Sequence, residues 1–459
     1  MKAIAAAPRY LGTNFEDAPP GHRFGLYFEF WSPDGFRRVA DQDKGAALKR
    51  LRGLPESARA LLDALLARRR AQAEARPDHS FVRYARSSAP FITGIGMEHP
   101  LENGFAFANP YGLPVLPGAS VKGVLRAAAE ELALELHGAS HGWDPLALWW
   151  LFGFDSGAAY LAAVQAAAPD VLVAEGERRR AKYLAWLESA KLLEAKVAPL
   201  IDEAIAKSED REAWHAEPKA FLRALAGVGE GESARVAGAF HWRGALAFHD
   251  VLVRPAQGAL GLDILTPHYS HYYQGSEPPH DAGQPTPNVF LIVPPESEFG
   301  FQVDCVAPRL PAELRSRWRE LLESAFNHAF DWLGFGAKTA LGYGQMSRDD
   351  TRQKAESEER SRRREAERVA ALPEEARKLD ELRRFYTQQK ESGRPDRVTV
   401  ELRGRLAALL EEAETWPHAA RLELTALATE IYGFVGWGKG KKKNQRRAVL
   451  AALRDQPKT

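Results

Sequence analysis

Residues 334–344 read GFGAKTALGYG, a glycine-rich loop at the end of an amphipathic helix predicted over residues 312–335. Glycine lets the backbone adopt a positive φ and lets a ligand approach without a Cβ in the way. Successive free N–H groups in such a loop can hold a phosphate, and Lys338 adds a positive charge. A tight turn between a helix and a strand would explain the same residues without a ligand.

The loop does not match the common nucleotide-binding patterns. A Walker loop requires Gly-Lys-Ser/Thr, but Ala337 precedes Lys338. The dinucleotide pattern requires a third glycine where Thr339 stands. The sequence therefore favours the extended phosphate backbone of a nucleic acid over ATP or NAD.

A second loop, LPGASVKG at residues 116–123, leads into another predicted helix. We expect Ser120 to be the N-cap of this helix. The helix dipole, Lys122 and Arg126, one turn further on, would together attract an anion. An ordinary N-cap with solvated basic residues is the alternative. Two loops of this kind in one chain make phosphate binding a stronger interpretation than either loop alone.

A histidine- and tyrosine-rich segment, DILTPHYSHYY, spans residues 263–273. Its rings could stack on bases, and its polar groups could contact phosphates. An edge strand whose rings pack on the core is the alternative. A zinc ion would need more ligands than His268 and His271, so we expect no metal.

Two other histidines stand near acidic residues. His249 precedes Asp250, and this pattern favours a structural pair over a catalytic dyad. His99 and Glu102 belong to HPLENG (residues 99–104), and for them the sequence leaves both interpretations open. No signature of a serine hydrolase, a zinc protease or a paired-carboxylate enzyme is present.

Outside these loops, the chain mixes strands and helices without a regular alternation. The predicted strands are residues 24–31, 240–253, 289–293 and 299–306, with the last two paired. Helices are predicted at residues 54–75 and throughout 158–236. The run Arg68-Arg69-Arg70 is interpreted as the solvated end of the first of these helices. This order favours an α+β fold with antiparallel strands.

Length and composition indicate an ordinary globular protein. The 459 residues suit two domains or one elaborated domain, and the single cysteine, Cys305, excludes a disulfide framework. No apolar run is long enough for a signal peptide or a membrane helix, so we expect a cytoplasmic protein without a membrane partner. The expected domains are a core at 1–346 with a helical insertion at 158–236, a charged helical linker at 347–395, and a small basic helical domain at 396–459.

The net charge of +1 conceals an uneven distribution. From residue 351 onward, 25 basic and 18 acidic residues give +7, so the preceding part carries −6. The densest basic cluster comprises Lys439, Lys441, Lys442, Lys443, Arg446 and Arg447. It indicates nucleic-acid contact, with a solvated and salt-bridged helix face as the alternative.

Six motifs occur in an order that resembles the RAMP proteins of type III CRISPR systems. They are TGIG (93–96), HPLENG (99–104), LPGASVKG (116–123), GALAFHD (244–250), DILTPHY (263–269) and GFGAKTALGYG (334–344). The combination of HPLENG with TPHY resembles the family of sixth subunits of the Cmr (type III-B) effector complex. The resemblance covers residues 90–346.

This resemblance implies a ferredoxin-like (RRM-like) βαββαβ core with insertions. It implies a non-catalytic, RNA-binding subunit that caps the filament near the 3′ end of the CRISPR RNA and supports binding of target single-stranded RNA in antiviral defence. Its partners would be other Cmr subunits, notably the backbone RAMP subunit, and we expect no cofactor. From the loops, the basic cluster and the resemblance together, the expected RNA contacts are Gly118, Ser120, Lys122, Gly123, Arg126, His268, Tyr269, His271, Gly334, Gly336, Lys338, Thr339, Gly342, Tyr343, Gly344, Lys441, Lys442 and Lys443.

Two other functions compete with this one. RAMP folds also include metal-independent endoribonucleases that process CRISPR RNA, and such an enzyme needs a general base and a general acid. His268, His271 and Lys338 are the available groups. The other alternative is a structural bridge that contacts only proteins.

Overall fold

The computed structural model describes residues 10, 12, 14–28, 44–100, 102–158, 160–161, 169–190, 194–204, 208–226, 240–266, 287–392 and 395–455. The chain divides into two compact units, Met1–Gln353 and Lys354–Thr459. Within the ranges above, no helix combines the length and the apolar character needed to cross a membrane.

The first unit contains both strands and helices. Its strands are β1 (Ser80–Ser87), β2 (Phe107–Ala108), β3 (Leu113–Leu116), β4 (Leu246–Phe248), β5 (Val251–Arg254), β6 (Gly261–Leu265), β7 (Asn288–Ile292), β8 (Glu298–Cys305) and β9 (Met346–Arg348). Its helices are α1 (Pro20–Gly25), α2 (Lys44–Leu51), α3 (Glu56–Ala75), α4 (Gly118–Ala133), α5 (Pro145–Phe152), α6 (Asp170–Ser189), α7 (Glu194–Ala204), α8 (Ser208–Ala216), α9 (Pro218–Leu225) and α10 (Ala312–His328).

A seven-stranded sheet forms the centre of this unit. Its order is β2-β3-β5-β8-β1-β9, and β4 also pairs with β8. The pairs are antiparallel, and the register places Tyr84 of β1 opposite Gly300 of β8. Strands β6 and β7 form a separate antiparallel pair. The expected mixture of helices with antiparallel strands is therefore confirmed.

The two faces of the sheet bury different residues because successive side chains alternate along a strand. Phe299, Phe301 and Val303 of β8 are fully buried in the same cluster as the apolar sides of α4 and α10. Leu252 of β5 lies in a smaller cluster with Leu62 of α3. Burying one such side chain contributes about 1.5–3 kcal/mol, so both clusters hold the sheet in place.

Helix α10 leads directly to the glycine-rich loop. Its apolar residues recur at helical spacing and are buried: Leu314, Trp318, Leu321, Leu322, Ala325 and Phe326. A π-helical turn, Ala329–Leu333, follows its last residue and continues into residues 334–344. The helix predicted at 312–335 is therefore confirmed, with a wider turn at its end.

The strand predicted at residues 24–31 is wrong where the structure describes it. Residues 20–25 form helix α1, while residues 29–31 lie outside the described ranges. Proline is favoured at the first helical position, and Pro20 occupies it here. The buried Phe24 ring stacks on His99, with 3.8 Å between the ring centres. These aromatic residues therefore anchor a short helix.

The predicted pairing of residues 289–293 with 299–306 is also wrong. Strand β7 pairs with β6, whereas β8 pairs with β1, β4 and β5. Between β7 and β8, Pro294 and Pro295 lack the N–H groups that a ladder needs. The buried Ser297 that follows donates from its hydroxyl to the carbonyl oxygen of Pro294, at 2.7 Å. The chain thus passes from one sheet to the other at this turn.

The segment predicted as a helical insertion, residues 158–236, contains α6 to α9 in its described part. Tyr183 of α6 is buried, and its hydroxyl donates to the carbonyl oxygen of Leu222 at 2.9 Å. Tyr183, Leu222 and Leu187 belong to the main apolar cluster. These helices therefore share their core with the sheet.

The second unit is helical and has its own core. Helix α11 (Asp350–Ala370) enters it and has no buried residue. Then follow α12 (Glu374–Ser392), α13 (Pro395–Glu412), α14 (His418–Val435) and α15 (Lys441–Asp455). Leu379, Leu382 and Tyr386 of α12 lie in the same cluster as Leu406 and Ile431. Helix α12 therefore belongs to this unit, although the sequence suggested a linker as far as residue 395.

Candidate nucleic-acid interface

The glycine-rich loop is closed by hydrogen bonds around one buried ring. Phe335 is fully buried, and its N–H donates to the carbonyl oxygen of Gly344 at 2.9 Å. The N–H of Ala337 donates to Ile92 at 2.9 Å, and that of Gly344 donates to Pro90 at 2.8 Å. These hydrogen bonds close the loop and also connect it to the segment that follows β1.

Two glycines of the loop are required by its geometry. Gly336 has φ = 91°, and a Cβ there would clash with the carbonyl oxygen of Ile92. Gly344 has φ = 72°, and a Cβ there would clash with the carbonyl oxygen of Phe335. The closed turn accounts for these glycines without a ligand, whereas Gly342 has no atom near the position that its Cβ would take.

The outer part of the loop presents unused donors. Lys338 adopts the left-handed conformation with φ = 59°, which is uncommon for a residue other than glycine. A single 3-10 turn, Thr339–Leu341, follows it. In the described part of the chain, no atom accepts a hydrogen bond from the backbone N–H groups of Lys338, Thr339 or Ala340. Consecutive free N–H groups beside a lysine form a concave site for an anion such as a phosphate.

Tyr343 connects the loop to the small sheet. Its hydroxyl donates to Oδ2 of Asp263 in β6 at 2.8 Å. Burial raises the pKa of Tyr343 to about 12, and the hydrogen bond and the charge of Asp263 act in the same direction. Asp263 precedes His268 by five residues, but His268, Tyr269 and His271 lie outside the described ranges. The expected contacts of that segment remain predictions.

The second loop differs from expectation at its cap. Helix α4 begins at Gly118, so Ser120 lies inside the first turn, exposed, and is not the N-cap. Pro117 takes the cap position, and no side chain of its own caps the helix there. Instead, the N–H of Gly118 donates to Oδ1 of Asp250 at 2.7 Å. Gly118 itself fits closely against Phe248, where a Cβ would clash with the carbonyl oxygen.

Three cations gather near the start of α4. Burial lowers the pKa of Lys122, and the charges of Arg126 and Arg243 lower it further. Nη1 of Arg126 lies 3.9 Å from Oδ2 of Asp155, and its buried Nη2 has no hydrogen-bond partner among the described residues. Like charges held together in this way attract an anion. Gly123 lies on the exposed side of the same helix.

The two loops lie at opposite ends of the sheet. Gly118 lies against Phe248, which pairs with Val303, and Val303 pairs with Phe81 near the start of β1. Gly344 precedes Met346, which pairs with Ser87 at the end of β1. Phe81 and Ser87 are six residues apart, which is about 20 Å of strand. The loops therefore do not form one phosphate site, and any shared ligand must be extended.

The histidine–acid pairs are structural. Nε2 of His249 lies 3.0 Å from Oδ2 of Asp304, whereas Asp250 is bound to Gly118, so His249 and Asp250 form no dyad. His99 donates from Nε2 to the carbonyl oxygen of Phe24 at 2.9 Å, and burial lowers the pKa of its imidazole.

Glu102 has a similar role. It forms an ion pair with Lys44 at 3.1 Å and so ties HPLENG to α2. Over the described ranges, no cluster of histidine, cysteine or acidic side chains could hold a metal ion.

One basic residue of the first unit is more buried than the sequence predicts. The run 68–70 predicts a solvated helix end, but Arg69 is half-buried, and burial lowers the pKa of its guanidinium. The sequence feature that indicates the burial of Arg69 is its position four residues after Leu65, on the side of α3 that faces the sheet. It lines a cavity of about 230 Å³ together with Tyr111 and Asp250.

The basic cluster of the second unit is exposed at the start of α15. Lys441, Lys442 and Lys443 form its first turn, preceded by Gly440 with φ = 56°. Arg446 lies over the ring of Tyr432, at 4.8 Å from the ring centre. The structure thus places these lysines in a different compact unit from the two loops.

The sequence profile of the RAMP superfamily matches residues 87–347. This range includes both loops and the strands β2 to β8, but only the last residue of β1. The chain belongs to the RAMP superfamily. It is also 27% identical, over 279 residues, to the protein described as CRISPR system Cmr subunit Cmr6 from Pyrococcus furiosus. That alignment covers 58% of this chain and 68% of the relative.

Two solved structures are similar at a lower level. A cryo-EM structure of the type III-B Cmr-beta complex bound to cognate target RNA contains a chain 12% identical, with a TM-score of 0.36, covering 67% of this chain and 70% of that one. The crystal structure of Cmr6 from Pyrococcus furiosus is 24% identical, with a TM-score of 0.23, covering 59% of this chain and 98% of that one.

We predict that Gly336→Ala lowers the free energy of unfolding by about 2 kcal/mol more than Gly342→Ala does. Both glycines have positive φ, but only a Cβ at Gly336 meets a carbonyl oxygen. Urea denaturation of the two variants measures the difference. Equal losses would show that the contact between the loop and Ile92 does not constrain the loop.

Proposed function

We propose that this chain is an RNA-binding subunit of a type III-B Cmr effector complex. The main support for the proposal is the loop at residues 334–344, which hydrogen bonds hold in place. It presents Lys338 together with the backbone N–H groups of residues 338–340, for which the described part of the chain contains no acceptor. Membership of the RAMP superfamily and similarity to a Cmr subunit support it. In the complex the chain would cap the filament near the 3′ end of the CRISPR RNA, beside the backbone RAMP subunit.

We also propose that the core is ferredoxin-like. Four strands support this, because β9, β1, β8 and β5 lie side by side in the order that a βαββαβ unit requires. Helix α10 connects β8 to β9 in one step, while the connection from β1 to β5 contains β2, β3, α4 and the helical insertion. Strands β2, β3 and β4 would enlarge the first crossover, and the β6–β7 pair would enlarge the connection from β5 to β8.

Binding of this kind would read the backbone and not the bases. Backbone N–H groups and lysines contact phosphates, which are the same in every sequence. A guide RNA varies in sequence, so a subunit that holds it needs such contacts. The distance between the two loops suits an extended single strand that follows the sheet. This strand would be CRISPR RNA or its target.

The second unit would add a separate contact. In α11 to α13, basic residues are neutralised by neighbouring acids, as in Arg363 with Glu359 at 3.1 Å and Lys378 with Glu374 at 3.0 Å. In the described ranges, no carboxylate pairs with Lys439, Lys441, Lys442, Lys443, Arg446 or Arg447. Cations at a helix N-terminus also oppose the helix dipole. A polyanion would neutralise the unpaired cations and remove their unfavourable interaction with the helix dipole. We therefore assign the second unit's RNA contact to this cluster.

The chain would bind RNA without cutting it. Metal-independent cleavage needs a general base and a general acid near the 2′-hydroxyl. The imidazoles of His99 and His249 both have structural partners. The sequence offers His268, His271 and Lys338 for these roles, and a test of cleavage must address them.

We predict that Lys122→Ala and Lys338→Ala each weaken binding of single-stranded RNA by about three- to tenfold at moderate salt. Each removes one phosphate contact, so the slope of log K against log salt should fall by about 0.7 per variant. Fluorescence anisotropy across a salt series measures both quantities. Lys378→Ala, which removes a lysine already paired with Glu374, is the control. Unchanged slopes in both variants would favour a structural bridge that contacts only proteins.

We predict that replacing Lys441, Lys442 and Lys443 together by alanine lowers the same slope by about 2. The matched control replaces Arg362, Arg363 and Arg368 together, which are paired with Glu358, Glu359 and Glu365. The same salt series separates the two variants. An equal fall in the control would mean that the net charge of the unit, and not the unpaired cluster, sets the affinity.

We predict that the purified chain leaves CRISPR repeat RNA intact in the presence of a chelator. Gel electrophoresis of end-labelled RNA over time is the measurement. Cleavage that disappears in His268→Ala or His271→Ala, with RNA binding retained, would instead establish the endoribonuclease.

A further inference from the structure

A polar cavity of about 230 Å³ lies between α3, the β2–β3 hairpin and the turn from β4 to β5. Its apolar lining residues are Leu65, Ala108 and Leu252. Tyr111 and the polar groups of Arg68, Arg69, Gln72, Asn109, His249 and Asp250 complete the lining. A lining that combines apolar side chains, an aromatic ring and several polar groups suits a small amphipathic ligand.

The side chains around the cavity have unused hydrogen-bonding capacity. None of the described residues forms a hydrogen bond with the side chain of Arg69, Tyr111, Gln72 or Asn109. For Arg69 this matters most, because the guanidinium is half-buried and burial lowers its pKa. Its nitrogens are not among the fully buried atoms that lack a partner, so they are open to a ligand, and an anion would supply a charged acceptor.

The acidic neighbours do not complete the site. Asp250 raises the pKa of Arg69 through its charge, but one of its oxygens already accepts from the N–H of Gly118. His249 is held by Asp304 on the other side. With Arg68 exposed at the rim, the groups that face the cavity include two cations and one partly engaged carboxylate.

The cavity is joined to the cationic end of α4. The hydrogen bond from Gly118 to Asp250 connects the first residue of α4 to the cavity wall, and Lys122 lies one turn further along the helix. A strand held by Lys122 and Arg126 would therefore pass close to the opening. Single-stranded RNA is commonly bound with individual bases turned out onto aromatic side chains, with amides contacting the base edges.

We propose that this cavity receives one nucleotide of the bound RNA strand, with its base against Tyr111 and its phosphate on Arg69. Asn109, Gln72, Leu65 and Leu252 line the same cavity. The two amides can both donate and accept hydrogen bonds, so they can contact different bases without selecting a sequence. The inference rests on the proposed RNA-binding function and specifies a subsite of it. It also makes Arg68 and Arg69 part of the interface.

The test uses the full chain and a fluorescein-labelled oligouridine. Tyr111→Ala should weaken binding about tenfold without changing the salt slope, because stacking is not ionic. Tyr111→Phe, which keeps the ring, should bind nearly as wild type. Arg69→Ala should weaken binding and lower the salt slope by about 0.7, because it removes a phosphate contact. Arg178→Ala, at an exposed position of α6 and paired with Glu175, is the control.

The outcomes separate this inference from the proposed function. If Lys122→Ala and Lys338→Ala weaken binding while Arg69→Ala and Tyr111→Ala match wild type, the subsite is wrong and the function stands. If none of the four variants weakens binding, both are wrong. Tyr111 packs on a small apolar cluster, so Tyr111→Ala could destabilise the fold; Arg69→Ala and the cross-link below do not depend on that residue being removed.

Photo-cross-linking gives a direct readout of the contact. RNA containing 4-thiouridine, irradiated on the wild-type chain, should modify the peptide that carries Tyr111. Cross-links confined to other peptides would overturn the subsite.

Discussion

Much of the first unit's candidate interface depends on the buried ring of Phe335. Hydrogen bonds close residues 334–344 around this ring. Because Phe335 belongs to the main apolar cluster, the loop cannot move without opening that core. The bonds to Pro90 and Ile92 tie the loop to the segment after β1, and Tyr343 ties it to β6. Lys338 and its neighbouring N–H groups are therefore already in place before any ligand arrives, which reduces the entropy lost on binding.

Much of the architecture could be predicted from periodicity, and its long-range pairing could not. Helices α3 and α10 follow from apolar residues at helical spacing over many turns. The aromatic run near Phe24 is too short to separate a strand from a helix, and here Pro20 and the packing on His99 decide for a helix. The partner of β7 depends on where residues 261–265 lie in space, which no local pattern reveals.

For the candidate site, too, local features could be predicted from the sequence and their arrangement in space could not. The two loops were identified by composition, but their separation along β1 appears only in the sheet register. The HPLENG motif left open whether His99 and Glu102 are functional. In the structure, His99 is hydrogen-bonded to Phe24 and Glu102 forms an ion pair with Lys44, so both hold the motif in place. The basic run at 68–70 predicts a solvated helix end, whereas Arg69 is half-buried and lines a cavity with Tyr111, which is distant in sequence. Counting charges identifies the basic Lys439–Arg447 stretch, but only the structure shows that, in its described part, acids pair with most basic residues of α11 to α13 and with none of that stretch.

The most direct test of the central claim is to purify a tagged chain from its native host and sequence the RNA bound to it. The account predicts that CRISPR RNA and other Cmr subunits are recovered together. A further prediction is that this recovery falls when Lys122 and Lys338 are both replaced by alanine. Recovery of the chain alone, with neither RNA nor partner subunits, would contradict the account and leave the glycine-rich loop as a structural turn.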